Sequence, residues 1–269
     1  MPAGGTGLVL RGLRKEPAAI GKWHLGWDWT HKEGKAKTVD NIGFTKRVAN
    51  GPTDRGFDYF YGLTSPSGPP HLYMVNDMAE KQPNTRFEES GGGLYKIKGG
   101  IGHSDWSADG MQPHLADKML EYLDENKDSD KPFFLYMALT APHIPLFPSK
   151  EFKGKSKIGD YGDLVMMIDD IVGRVNRKLK EIGKYDNTIV MFAADNGCAG
   201  YINMDRINRK GHYPSYIYRG YKSHGWEGGH RIPFILSWGD RYGHVTDNSL
   251  VSLTDLYATF ADMLGYRIA

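Results

Sequence analysis

Thr188-Ile-Val-Met-Phe-Ala-Ala-Asp-Asn-Gly197 decides how the rest of the chain is read. Its apolar run, Ile189 to Ala193, follows the turn-like Lys184-Tyr-Asp-Asn187 and is too short for a helix. It predicts a fully buried strand of a parallel sheet. Asp195 and Asn196 then fall at the strand's C-terminal tip, the edge of an open α/β sheet where ligands bind. A carboxylate and an amide carbonyl are hard oxygen ligands for Ca²⁺ or Mg²⁺. An Asx turn that ends the strand accounts for the same two residues.

Working back from this stretch, Tyr161 to Gly183 predicts an amphipathic helix, with Leu164, Ile168, Ile171, Val172, Val175, Leu179 and Ile182 on one stripe and Asp169 and Asp170 on a solvated face. Before it, Phe133-Phe-Leu-Tyr-Met-Ala-Leu139 is a second buried run, so that strand, helix and strand read as a right-handed parallel crossover. Leu115, Met119, Leu120 and Leu123 share one face of a helix near 113–126. Beyond the central strand, Ile232-Pro-Phe-Ile-Leu-Ser-Trp238 predicts a third buried strand and Leu250 to Leu264 a terminal amphipathic helix. The fold class is therefore α/β, a mostly parallel central sheet with flanking helices. From Asp28 to about Gly110 the pattern is irregular, and Arg55-Gly-Phe-Asp-Tyr-Phe-Tyr-Gly62 reads as an aromatic turn packed on the sheet. At the start, Leu8-Val-Leu-Arg-Gly-Leu-Arg-Lys15 reads as the end of an amphipathic helix that leads into a short strand at Ala18.

Composition narrows the function classes. Among 269 residues, 34 basic and 32 acidic side chains leave a net charge of +2, which gives no electrostatic case for nucleic acid or a membrane surface. No apolar run approaches the ~20 residues of a membrane span. The single cysteine, Cys198, excludes an internal disulfide framework and a cysteine-rich zinc site. Met1-Pro-Ala-Gly-Gly-Thr-Gly7 lacks the basic and apolar segments of a signal peptide.

Three further stretches carry candidate chemistry. In Gly21-Lys-Trp-His-Leu-Gly26, glycines on both sides allow a sharp turn that aims Lys22 and His24 at the same side, where joint burial would lower the histidine's pKa. Trp23, Trp27 and Trp29 are core or pocket wall. In Thr140-Ala-Pro-His-Ile-Pro145, two prolines restrict the backbone around His143 just past a strand tip. In Lys222-Ser-His-Gly-Trp-Glu-Gly-Gly229, Lys222 is either offered to an anionic group or paired with Glu227.

Taken together and in order, Gly21-Lys-Trp-His-Leu-Gly26, Thr140-Ala-Pro-His143, Ala194-Asp-Asn-Gly197 and Lys222 with Glu227-Gly-Gly229 resemble the sulfatases of the arylsulfatase family, in the alkaline-phosphatase superfamily. Trp23-His-Leu-Gly-Trp-Asp-Trp29, Gly56-Phe-Asp-Tyr-Phe-Tyr-Gly62 and Trp226-Glu-Gly-Gly-His-Arg231 are similar to the bacterial branch that acts on sulfated carbohydrates. The resemblance implies a sulfuric ester hydrolase acting on sulfated carbohydrates or aryl sulfates. It implies catalytic roles for Lys22, His24, His143 and Lys222, and part of a single Ca²⁺ site at Asp195 and Asn196. The lysine helps to hold nucleophile and sulfate, His24 is a base, and His143 and Lys222 stabilise or protonate the leaving oxygen. Periplasmic or secreted localisation follows by family analogy alone.

The resemblance also implies a formylglycine nucleophile, made from the first residue of a Cys/Ser-x-Pro/Ala-x-Arg motif. Cys198, followed by Ala-Gly-Tyr-Ile202, and Ser65, followed by Pro-Ser-Gly68, both fail that pattern. The expectation is thus a partial, alkaline-phosphatase-like catalytic domain over residues 1–269, with a loop-rich pocket region about 27–112 and a regular α/β region about 113–269. It would lack the nucleophile segment and the C-terminal subdomain, and be inactive alone. Two other functions fit the same residues: a sulfatase-like protein that binds sulfated glycans without turnover, and a metal-dependent phosphoesterase of the same superfamily. The two-metal sites of the latter generally use Asp-His where this chain has Asp195-Asn196.

Overall fold

A computed structural model describes residues 16–267. The helix expected over 8–15 lies outside them. Strand β1 (Glu16–Lys22) is the pivot of a five-stranded sheet of order β4-β3-β2-β1-β7. It pairs in parallel with β2 (Tyr59–Leu63) on one side and β7 (Phe133–Ala138) on the other. Two short strands, β3 (Met74–Val75) and β4 (Met78–Ala79), extend the β2 side in antiparallel fashion, so the sheet is mixed. Residues 55–62 are accordingly not a turn lying on the sheet. After a single 3₁₀ turn at Pro52–Arg55, the aromatic segment enters the sheet as β2, with Phe60 and Tyr61 each 1% exposed. Between β4 and β7 lie the small hairpin of β5 (Thr85–Phe87) and β6 (Gly100–Gly102), and then helix α1 (Met111–Glu125).

The parallel sheet of three apolar runs expected from the sequence is not what forms. Strand β8 (Ile189–Ala193) pairs antiparallel with β9 (Phe234–Trp238) in a separate two-stranded sheet, and neither is hydrogen-bonded to β7. Leu135 and Met137 of β7 and Val190 of β8 nevertheless pack against one apolar cluster. That cluster also holds Val175 and Leu179 of helix α2 (Asp160–Glu181), which therefore spans both sheets. With a backbone partner on one side only, these strands are also less buried than predicted: β7 and β8 are half-buried, with Tyr136 and Ala193 exposed, and Ile235 of β9 is 61% exposed.

The helices follow their sequence periods. Leu164, Ile168, Ile171, Val175 and Leu179 of α2 are buried, while Asp169 is exposed and Asp170 approaches Arg177 at 3.7 Å. The first turn of α2 is anchored by fully buried Asp163, whose carboxylate accepts the backbone N–H groups of Gly154 and Ser156 at 2.7 and 2.6 Å. After β8 come the short helices α3 (Met204–Asn208) and α4 (Glu227–His230), and α5 (Asp255–Met263) closes the described chain. Residues 250–254 precede α5 as an exposed, non-helical segment, because its helical backbone begins only at Asp255.

Candidate functional site

Lys22 is the last residue of β1 and pairs in register with Leu63. Close packing at this tip depends on Gly21, which has φ +128°; a Cβ there would lie 2.0 Å from the Ala138 carbonyl oxygen of β7. The next residue, Trp23, turns into the core at 3% exposure and donates its indole N–H to Gly26 O at 3.1 Å. Trp27 and Trp29 are half-buried and stacked, with ring centroids 5.8 Å apart. His24 is exposed while Lys22 is half-buried, so the condition for a lowered histidine pKa through joint burial is not met.

His143 comes from the loop after β7, between peptide bonds Ala141–Pro142 and Ile144–Pro145 that are both cis. Gln112 at the start of α1, itself buried, hydrogen-bonds Thr140 and ties this loop to the helix. The imidazole is half-buried, with Nδ1 2.7 Å from Ile144 O. A carbonyl can only accept, so Nδ1 carries the hydrogen and the neutral ring presents its lone pair at Nε2. Tyr201 meets the ring edge-on at 6.3 Å. Tyr201 is a contact that sequence reading missed. Nothing marks it except its place three residues after Cys198.

Asp195 and Lys222 come from the other sheet. Asp195 is exposed beyond β8, and the Asn196 amide donates to its carboxylate. Lys222 lies on the loop before α4, held by its backbone N–H to Cys198 O at 2.8 Å. Glycine makes that approach possible. The Gly197 N–H bonds Gly229 O at 2.9 Å, and a Cβ on Gly197 would lie 2.0 Å from Gly228 O. Glu227 pairs with Arg231 at 3.1 Å, not with Lys222, which leaves the ammonium of Lys222 without an ion-pair partner among the described residues.

These four side chains share one electrostatic neighbourhood. The Lys22 pKa lies below the usual lysine range, chiefly through burial, with Asp195 pulling it up and Lys222 pushing it down. His143 is also lowered, first by burial and further by Lys222 and Lys22, against the carbonyl of Ile144 and the charge of Asp195. Lys22, His143, Asp195 and Lys222, as much as 200 positions apart in the sequence, thus act on one another's charges; Asn196 adjoins Asp195, and His24 is exposed. Two cations, one imidazole and one carboxylate at the strand tips suit an oxyanion with a leaving oxygen to be protonated.

The described residues do not by themselves fit a calcium ion. Asp195 and Asn196 offer at most three side-chain oxygens where Ca²⁺ takes roughly 6 to 8, and no group of three or more His, Cys, Asp or Glu suited to a metal occurs among the described residues. Burial raises the pKa of Cys198, against its contacts with the Tyr161 hydroxyl at 3.5 Å and Ala199 O, which disfavours the thiolate that a nucleophile needs.

A family model described as Sulfatase matches residues 9–266. The N-acetylgalactosamine-6-O-sulfatase of Bacteroides thetaiotaomicron is 28% identical over 91% of this chain and 53% of its own length. The arylsulfatase of Hemicentrotus pulcherrimus is 30% identical, over 91% of this chain and 40% of its own. A Bacteroides thetaiotaomicron structure, described as a sulfatase from a locus for the metabolism of multiple glycosaminoglycans, superposes with a TM-score of 0.80 at 26% identity, covering 98% of this chain and 60% of that one. The chain thus spans about half the length of the curated relatives it matches.

Proposed function

The chain belongs to the sulfatase family, and from that premise we propose that its strand-tip cluster binds the sulfate group of a sulfated carbohydrate and assists departure of the sugar oxygen. The observation that carries this reading is the convergence of Lys22 and Lys222 with His143 around Asp195. A sulfate ester is a weak, already anionic electrophile. Two ammonium groups offset the charge that grows on its oxygens as the S–O bond to the sugar breaks. His143 is neutral before substrate arrives because burial and both lysines disfavour its charged form. A bound sulfate offsets the lysines' repulsion and lets Nε2 take up a proton, which then passes to the departing alkoxide; Lys222 is the second possible donor. The choice of a carbohydrate rests on the relatives, one of which is named for N-acetylgalactosamine 6-O-sulfate hydrolysis.

The proposal extends to what these residues lack. The family's formylglycine would supply an oxygen nucleophile to sulfur, and neither Cys198 nor Ser65 stands in the motif from which it is made. Loss of one member of a catalytic group that acts as a unit removes factors of ~10⁴ to 10⁶ in rate. Residues 1–269 alone should therefore bind sulfated sugars without releasing sulfate, and Ca²⁺ should bind weakly at Asp195 and Asn196. The test compares residues 1–269 with a version extended by any in-frame upstream coding sequence, both made in a host that installs formylglycine, on an aryl sulfate and on sulfated oligosaccharides with Ca²⁺. Sulfate release by the extended protein alone is the expected result. Robust release by the shorter chain, abolished in His143→Ala or Lys222→Ala, overturns the assignment of the nucleophile.

A further inference from the structure

A cavity with a volume of about 230 Å³ opens between the ends of β3 and β4, the loop after β6 and the first turns of α1. None of the strand-tip cluster lines it. Its apolar walls are Leu72, Tyr73 and Trp106, each nearly buried. Its polar walls are Glu80, His114, Lys81 and Asp105.

One hydrogen-bond chain fixes what these polar groups offer. The Tyr61 hydroxyl lies 2.8 Å from Glu80 Oε2 and 2.6 Å from His114 Nε2. A phenol has a single hydrogen, and an ionised carboxylate can only accept, so Tyr61 donates to Glu80. His114 must then donate its Nε2 hydrogen to the Tyr61 oxygen, which makes its Nδ1 an acceptor. Both Nδ1 and Glu80 Oε1 lack a hydrogen-bond partner among the described residues. The imidazole also lies against Tyr73, tilted by 34° with centroids 4.3 Å apart, and burial disfavours its charged form. Lys81 is engaged by Asp105, with His103 3.5 Å from the same carboxylate. The charge left over is the negative one on Glu80.

A space with acceptors free of protein partners and a residual negative charge repels sulfate and suits an uncharged ligand rich in hydroxyl donors. We propose that this cavity is a binding site for an uncharged sugar ring, whose hydroxyls donate to Glu80 Oε1 and His114 Nδ1 while its C–H groups meet the small apolar area left by Leu72, Tyr73 and Trp106. It is distinct from the sulfate-binding cluster, and it takes from the proposed function only the choice of sugar to try. The site would hold an unsulfated residue, whether or not the chain hydrolyses sulfate esters.

The test is saturation-transfer NMR and heteronuclear shift mapping on the chain with unsulfated N-acetylgalactosamine or galactose at about 10 mM, in the weak regime typical of a single small ring. Transfer to the sugar, with shifts centred on the Trp106 indole and His114, is expected. Glu80→Gln keeps the shape of the side chain and should weaken binding at least tenfold, as should Trp106→Phe, while Lys222→Ala leaves it unchanged. Circular dichroism checks that each variant is folded. No transfer to the native chain, binding indifferent to Glu80→Gln, or competition by inorganic sulfate at these same resonances would each overturn the proposal. None of these outcomes depends on sulfate release, so the sulfatase reading stands or falls separately.

Discussion

The two sheets are built from the same kinds of residue and differ sharply in burial. Ile20 of β1 is fully buried, yet Ile235 and Leu236 of β9 are 61% and 43% exposed. The difference lies in neighbours, not in composition. Strand β1 is hydrogen-bonded on both sides, with α1 packed over it, whereas β8 and β9 have only each other and β7 has only β1. The candidate site straddles this boundary. Lys22 and His143 belong to the well-packed side, Asp195 and Lys222 to the other, and no backbone hydrogen bond joins β7 to β8. What holds the halves together is side-chain packing beneath α2, together with contacts such as that of Tyr201 with the His143 ring. Segments with few buried apolar contacts open at lower free energy than the core, so the β8–β9 side is the one expected to fluctuate.

The largest effect should separate two isoleucines. Ile20→Ala removes fully buried atoms from the central strand and should cost about 2 to 5 kcal/mol. Ile235→Ala, at a mostly exposed position, should change stability by no more than about 0.5 kcal/mol. Urea unfolding of the two variants measures both. Equal losses would mean that β9 is as well packed in solution as β1, and the contrast between the sheets would dissolve.

A smaller and more local effect is expected at the loop that presents Lys222. Gly197→Ala places a methyl group against the Gly228 carbonyl, where the two backbones pass too closely for a side chain. Relieving that overlap should cost about 1 to 3 kcal/mol. The damage should stay on its own side: amide exchange should quicken in β8, β9 and residues 219–229 while β1 and β2 keep their protection. Uniform quickening through β1 would show that the halves unfold as one unit.

How far the sequence discloses this arrangement depends on the kind of signal. Helix α2 is legible because six apolar residues at helical spacing have one common reading, and Asp169 falls on the solvated face as its place off that stripe requires. Strands β7, β8 and β9 are legible as strands, but not in their partners. An apolar run records a capacity for burial, and whether a neighbour fills it is decided by tertiary contacts. Residues 57–62 mislead for a related reason, since aromatics between glycines look like a turn until Gly62 is seen to let β2 lie close to β1, as Gly21 lets β1 lie close to β7. The meeting of Lys22 with Lys222 is not readable from spacing at all. It is expected only through the family resemblance, which likewise points to His24, a residue that stands exposed here.

The smallest effect is the most direct probe of contact across the boundary. Burial is the main reason that the His143 pKa lies below the ordinary histidine value, and Lys222, from the opposite side, adds to the lowering while Asp195 opposes it. Removing Lys222 should therefore raise the His143 pKa, and removing the charge of Asp195 should lower it further. NMR titration of the His143 ring in the native chain, Lys222→Met and Asp195→Asn reads both directions, and substitutions of similar size limit the disturbance to packing. The same linkage reaches stability. A histidine held neutral in the folded state contributes stability that is complete above its unfolded pKa of about 6.5 and is lost as pH falls from there toward the lower folded value. With Lys222→Met that loss should become shallower, since the folded pKa moves back toward the unfolded one; with Asp195→Asn it should become deeper. Inorganic sulfate should act in the same direction as Lys222→Met on His143, because an anion between the lysines offsets their repulsion. If neither substitution moves the His143 titration, the two halves do not hold their charges in common, and the site as assembled here comes apart at the boundary between β7 and β8.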